Sequence, residues 1–167
     1  HTCAILDNGS VMCWGENGYG QLGNGGTGDE HIPVWVDLGT DRTAVAITAG
    51  YTHTCVILDN GSVSCWGKGL NGQLGNGGTS QQNSPTLTSS LGTGRTAVAI
   101  SAGNHHYCVI LDSGSVSCWG VGTNGRLGHG GTGQKTSPTL TSSLGTGRTA
   151  VAISAGGIHT CAILDNG

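Results

Sequence analysis

Six of the seven cysteines fall in pairs ten residues apart: Cys3 with Cys13, Cys55 with Cys65 and Cys108 with Cys118. Thiols at a fixed spacing can close a disulfide, hold a metal or stay free. A D-N-G or D-S-G turn lies between the members of each pair. The two cysteines therefore face each other across a hairpin, at a non-hydrogen-bonded position where Cα atoms approach to about 4.5–5.5 Å. That separation is within disulfide range, and each closed loop adds roughly 2–3 kcal/mol in the chain-entropy view. Zinc is the alternative, because His53 stands two residues from Cys55 on the same strand face. C-x9-C is not a usual zinc spacing, however, and a fourth ligand is missing. The expectation is three disulfides, with reduced thiols as the remaining alternative. Disulfides place the chain in an oxidising setting: extracellular, cell surface or periplasmic. Cys161 is left over as an unpaired cysteine.

The other reactive types recur in ways that favour structure over catalysis. His1, His53, His106 and His159 occupy one repeated position, which fits a structural hydrogen bonder better than a catalyst. Asp7, Asp59, Asp112 and Asp165 sit in turns, where aspartate bonds locally. Trp14, Trp66 and Trp119 also recur, and core packing is the expected role. G-K-G-L-N-G (67–72) and G-V-G-T-N-G (120–125) match a dinucleotide-binding string. Such a site needs a helix immediately afterwards to receive the pyrophosphate. Q-L-G-N-G-G or R-L-G-H-G-G follows instead, so glycine here serves tight turning. Asn8 and Asn60 open N-G-S sequons, which matter only in a host that glycosylates exported proteins. No catalytic set, metal site or cofactor is expected.

What positions these residues is a repeat. The four histidines are separated by 52, 53 and 53 residues, and S-P-T-L-T-S-S-L-G-T-G-R-T-A-V-A-I-S-A-G occurs identically at 84–103 and 137–156. The chain holds 33 glycines in 167 residues and only 9% charged residues. In an aperiodic chain this would point to disorder, but a period of this length denotes a solenoid, propeller or array. The repeats run at about 1–52, 53–105 and 106–158, with the start of a fourth at 159–167, as a single array. Each unit reads as four short strands; in the second these are 43–50, 53–58, 62–67 and a weaker outer strand at 85–90. In the first of these, Val45 and Ile47 alternate with Ala44, Ala46 and Thr48. In the hairpin, Leu6 pairs with Ser10, Ile5 with Val11, Ala4 with Met12 and Cys3 with Cys13. One face then carries Cys3, Ile5, Val11 and Cys13, and the other Ala4, Leu6, Met12 and Trp14. Both faces are apolar, so both must be covered. A sheet sandwiched between copies of itself is a propeller blade. The predicted class is all-β, a β-propeller of four-stranded antiparallel blades with about three blades present.

The net charge is −3, and the six lysines and arginines are scattered singly. Nothing tracks a phosphate backbone, so nucleic acid is not an expected partner. No apolar run approaches the ~18 residues of a membrane span.

The string W-G-x-N-x-x-G-Q-L-G-x-G at Trp14–Gly25, the A-G-x-x-H-T segments at Ala49–Thr54 and Ala155–Thr160, and the turn-plus-W-G hairpin resemble the regulator-of-chromosome-condensation repeat family. The resemblance covers the whole chain. It implies a seven-bladed propeller, of which this chain would be an incomplete part, less than half a ring and a fragment of a longer protein. Family functions diverge. Nothing here resembles the founder's basic tail or inserted wedge, so exchange on a small GTPase is not implied. The plant ultraviolet receptor of the family uses tryptophan just before the repeat histidine, where this chain has Tyr51-Thr52, Asn104-His105 and Gly157-Ile158. The paired cysteines look more like bacterial exported members, including a secreted enzyme inhibitor.

The copies can also be compared with one another. In a four-stranded meander, loops after strands one and three share one propeller face, and those after strands two and four share the other. The second set is monotonous (L-D-N-G-S, L-G-T-G-R-T), whereas the first varies. Function concentrates on loops held by a rigid scaffold. The predicted partner face therefore carries Tyr19, Tyr51, Lys68, Leu70, His105, Arg126 and Ile158. The expected role is non-enzymatic protein binding, with a partner protein or copies of the chain itself as ligand. The alternative is a structural surface array with no dedicated ligand.

Overall fold

The computed structural model describes residues 1–167. Thirteen strands form four antiparallel sheets in chain order. The first contains β1 (Thr2–Ile5), β2 (Val11–Gly15) and β3 (Glu30–Val36). The second contains β4 (Ala44–Ala49), β5 (His53–Leu58), β6 (Val63–Gly67) and β7 (Gln82–Leu87). The third repeats this plan with β8 (Ala97–Ala102), β9 (His106–Leu111), β10 (Val116–Gly120) and β11 (Lys135–Leu140). β12 (Ala150–Ala155) and β13 (Thr160–Leu164) make a two-stranded sheet. Each full sheet is a meander, so it is one propeller blade. The only helical piece is a 3-10 turn at Thr123–Gly125. No helix is long and apolar enough to cross a membrane.

The hairpin register is the one read from the turn. Cys3 faces Cys13, Ala4 faces Met12 and Ile5 faces Val11, while the Leu6 amide donates to the Ser10 carbonyl. Three disulfides join Cys3–Cys13, Cys55–Cys65 and Cys108–Cys118, each with Cα atoms 4.1 Å apart. Cys161 is free and exposed.

The two apolar faces of a blade are buried against different neighbours. Cys55, Ile57, Val63 and Cys65 pack against Tyr107, Val109, Leu111 and Trp119 of the next blade. Val56, Leu58 and Trp66 face back onto Val11, Cys13 and Leu22. Cys108, Ile110, Val116 and Cys118 continue the pattern toward Ala150. The core is thus a series of inter-blade layers, and the first two each have a disulfide face on one side and a tryptophan face on the other.

The inner strands lie side by side. The Ala102 amide donates to Thr48 Oγ1 at 3.2 Å, and the Ala155 amide to Ser101 Oγ at 2.9 Å. Two strand expectations are corrected here. Val45 and Ile47 do not share a face, because Ala44 pairs with Leu58 and Ala46 with Ile57. Val45 is the extra residue of a bulge, and it is 64% exposed. The outer strand runs Gln82–Leu87 rather than 85–90. It pairs with β6 at Gly67–Gln82, breaks, and resumes at Cys65–Thr86. Pro85, with no N–H to give, stands at the break on an edge strand, where proline is tolerated.

Candidate protein-binding face

The monotonous face owes its sameness to amide joints between blades and to ion pairs within each blade. The Ala44 amide donates to the Gly9 carbonyl, Ala97 to Gly61 and Ala150 to Gly114, at 2.8, 2.9 and 2.8 Å. Gly61 has φ +76°, and a Cβ there would collide with Thr96 of the next blade. Arg42 pairs with Asp59 at 3.2 Å, Arg95 with Asp112 at 3.5 Å and Arg148 with Asp165 at 3.6 Å. Such part-exposed pairs contribute at most about 1 kcal/mol each. The glycine and aspartate of each hairpin turn are therefore repeated because the contacts they make are repeated.

Under the opposite face runs a chain of buried polar contacts between blades. The Thr54 hydroxyl donates to the Gln21 carbonyl at 2.9 Å. Its one proton being used, it accepts from His1 Nε2 at 2.8 Å. Thr160 likewise donates to the Arg126 carbonyl at 3.0 Å and accepts from His106 Nε2 at 2.9 Å. Tyr107 replaces the threonine between them. His53 Nε2 then donates to the Asn104 carbonyl at 2.9 Å, and its Nδ1 accepts the Tyr107 phenol proton at 2.7 Å. Burial drives the Tyr107 phenol well above its usual range, so it holds that proton. Burial also lowers His53 and His106 to about 4. These histidines are neutral hydrogen bonders between blades. The Trp66 and Trp119 indoles, fully buried, donate to the carbonyls of Gln21 and Gln73 at 2.8 and 2.9 Å.

The variable loops stand on this layer. The Lys68 amide donates to the Thr52 carbonyl and Val121 to that of His105, both at 2.9 Å. Each loop after strand three is thereby tied to the residue preceding the repeat histidine. Four predicted residues come together across blades. Lys68 Nζ lies 4.3 Å from the centre of the Tyr19 ring, a cation–π distance. The rings of Tyr51 and His105 meet edge-on at 6.4 Å, and His105 is also 6.4 Å from His53. Burial lowers the pKa of His105, and the charges of Lys68 and Arg126 lower it further. Tyr51 is 71% and Leu70 62% exposed. Arg126 is only 9% exposed; its Nε and one Nη donate to the carbonyl and hydroxyl of Thr123 at 2.9 and 2.8 Å. Arg126 and Ile158 both line a cleft of about 450 Å³ between the third blade and β13 that also includes Leu127 and Cys161.

The sequence marks the repeat histidines as structural hydrogen bonders but does not disclose their partners. Thr54, Tyr107 and Thr160 each bond a histidine 53 or 54 residues earlier. The recurring H-T dipeptide was the available signal. Gln21 and Gln73 were also missed. Each is fully buried, with Oε1 accepting a loop amide and Nε2 left without a partner.

Antiparallel blades that bury both faces against their neighbours define a β-propeller repeat protein. The pattern of the regulator of chromosome condensation (RCC1) repeat matches residues 8–57, 60–110 and 113–163, and the chain belongs to that family. It is 33% identical over 168 residues to E3 ubiquitin-protein ligase HERC2 of Homo sapiens, covering 99% of this chain but 3% of that protein. The probable E3 ubiquitin-protein ligase HERC4 of Homo sapiens is 32% identical over 139 residues, 83% of this chain and 13% of that one. Among solved structures, Prp20p of Saccharomyces cerevisiae superposes with TM-score 0.84 at 19% identity, over 96% of this chain and 40% of that chain. Human WBSCR16 gives 0.82 at 21%, over 96% and 42%. The chain thus spans a small part of the relatives it matches and under half of those structures, as expected of an incomplete propeller. The Prp20p structure was described with its binding properties to Gsp1p and histones.

Proposed function

We propose that this chain is part of an exported, non-enzymatic propeller that binds a protein through the loops after strands one and three. The observation that carries this reading is the gathering of Tyr19, Lys68, Tyr51 and His105 from successive blades onto one face. The opposite face spends its repeated residues on joints between blades. Aromatic and cationic side chains on a rigid support are the usual anchors of protein interfaces. Prp20p, similar in fold, binds proteins. Export is supported by the three disulfides, which persist in oxidising compartments. Leu70 and Ile158 extend the face at its margins, and Arg126 supplies charge from below.

The repeat provides its own folding-safe substitutions. Asn104 and Thr52 are the copies' counterparts of Tyr51 and His105. Tyr51→Asn with His105→Thr should therefore fold, yet reduce capture of the partner from the exported proteins of the host at least about tenfold. Asn60→Ser, which copies Ser113 on the joint face, should leave capture unchanged. The reverse pattern would reject the face.

A further inference from the structure

Resting on that reading of the face, we infer that its ligand is an acidic protein segment, whose carboxylates are received between Lys68 and Arg126. The charges are divided unequally between the two faces. Arg42, Arg95 and Arg148 are each matched by an aspartate on the joint face. Lys68 and Arg126 have no carboxylate partner, and Lys68 Nζ rests only on the Tyr19 ring. Glu16, in the same loop as Tyr19, forms no salt bridge with either cation, Asp29 accepts the Asn17 amide and Glu30 accepts from Asn24 Nδ2. His105 lies within the field of both free cations, and no carboxylate raises its pKa.

Hydrogen-bonding capacity is also left open beneath this surface. Thr52 Oγ1, Gln21 Nε2, Gln73 Nε2 and His105 Nδ1 are buried without partners. Gln21 and Thr52 both adjoin Gly67, the residue before Lys68: a Cβ at Gly67 would lie 2.6 Å from the Thr52 carbonyl and 3.3 Å from Gln21 Cα. Arg126 occupies in the third repeat the position of Gln21 and Gln73, and Lys68 occupies in the second the position of Glu16 and Val121, so both cations are peculiar to this site. Two cations without carboxylate partners suit carboxylates presented by a peptide. They are too few to follow the closely spaced charges of a nucleic-acid backbone.

The test again uses residues that sibling repeats already carry: Lys68→Val copies Val121, and Arg126→Gln copies Gln21 and Gln73. A fluorescently labelled Glu-rich peptide is titrated by anisotropy against the whole chain, beside the same peptide with Gln for Glu and a single-stranded oligonucleotide. The Glu peptide should bind and weaken with added salt. Affinity should drop at least about tenfold in the Lys68→Val/Arg126→Gln variant and stay unchanged in Arg95→Gln. Equal binding of the Gln peptide, tighter binding of the oligonucleotide, or indifference to the double variant would overturn the inference. If the double variant still captures the host partner while Tyr51→Asn/His105→Thr does not, the acidic ligand is rejected and the binding face stands.

Discussion

Gly61 shows how one residue can be fixed by a neighbour 35 positions away. Its positive φ fits the hairpin turn, and its missing side chain admits Thr96 of the next blade. Gly94 has a similar φ of +67° but open space around it. Gly61→Ala should therefore cost roughly 2–5 kcal/mol in a denaturant titration, combining left-handed strain with overpacking. Gly94→Ala should cost about 1–2 kcal/mol from strain alone. Equal costs would show that the close approach contributes nothing. The turn was legible in D-N-G, because its conformational demand is local. The contact with Thr96 was not, because it belongs to the next blade. Arg126 illustrates the same limit: its variation among copies was visible, but its burial against Thr123 was not.

At the scale of elements, the hairpin was the most legible part. A fixed turn sets the register, and the register sets which side chains share a face. Cysteine pairing and both apolar faces followed from that alone. The inner and outer strands were read less well. A bulge re-aims Val45, and the two-part pairing of β7 moves its start to Gln82, and neither leaves an alternation pattern to read. The histidine layer joins elements from different blades and carries a pH dependence. His53 and His106 titrate near 4 in the folded chain against 6.5 when unfolded. Between these values the unfolded chain binds more protons, so stability is full above about pH 6.5 and is lost as pH falls toward 4. For His53 alone the full loss is on the order of 3 kcal/mol. Thermal melts should show Tm falling between pH 6.5 and 5, above the carboxylate range, and His53→Gln should flatten that slope. A wild-type Tm constant over this window would contradict neutral burial of the histidines.

Across the whole molecule, the repeat separates two jobs between two faces. One face must be the same in every blade, because the Ala–Gly amide bonds and the Arg–Asp pairs recur there. The other is free to differ, and there the aromatic and unmatched cationic residues collect. That division was legible from comparing copies, since a meander sends alternate loops to opposite faces. Which loop residues touch was not, because Tyr19 and Lys68 come from successive blades. If the varied face binds protein, its loops are shielded in the complex and the opposite turns are not. Hydrogen exchange of the chain, alone and saturated with its captured partner, tests it most directly. Binding should slow exchange in peptides covering 16–24, 50–53, 68–74 and 103–107, and leave 6–10, 37–43 and 59–62 unchanged. Protection confined to the second group would contradict the account.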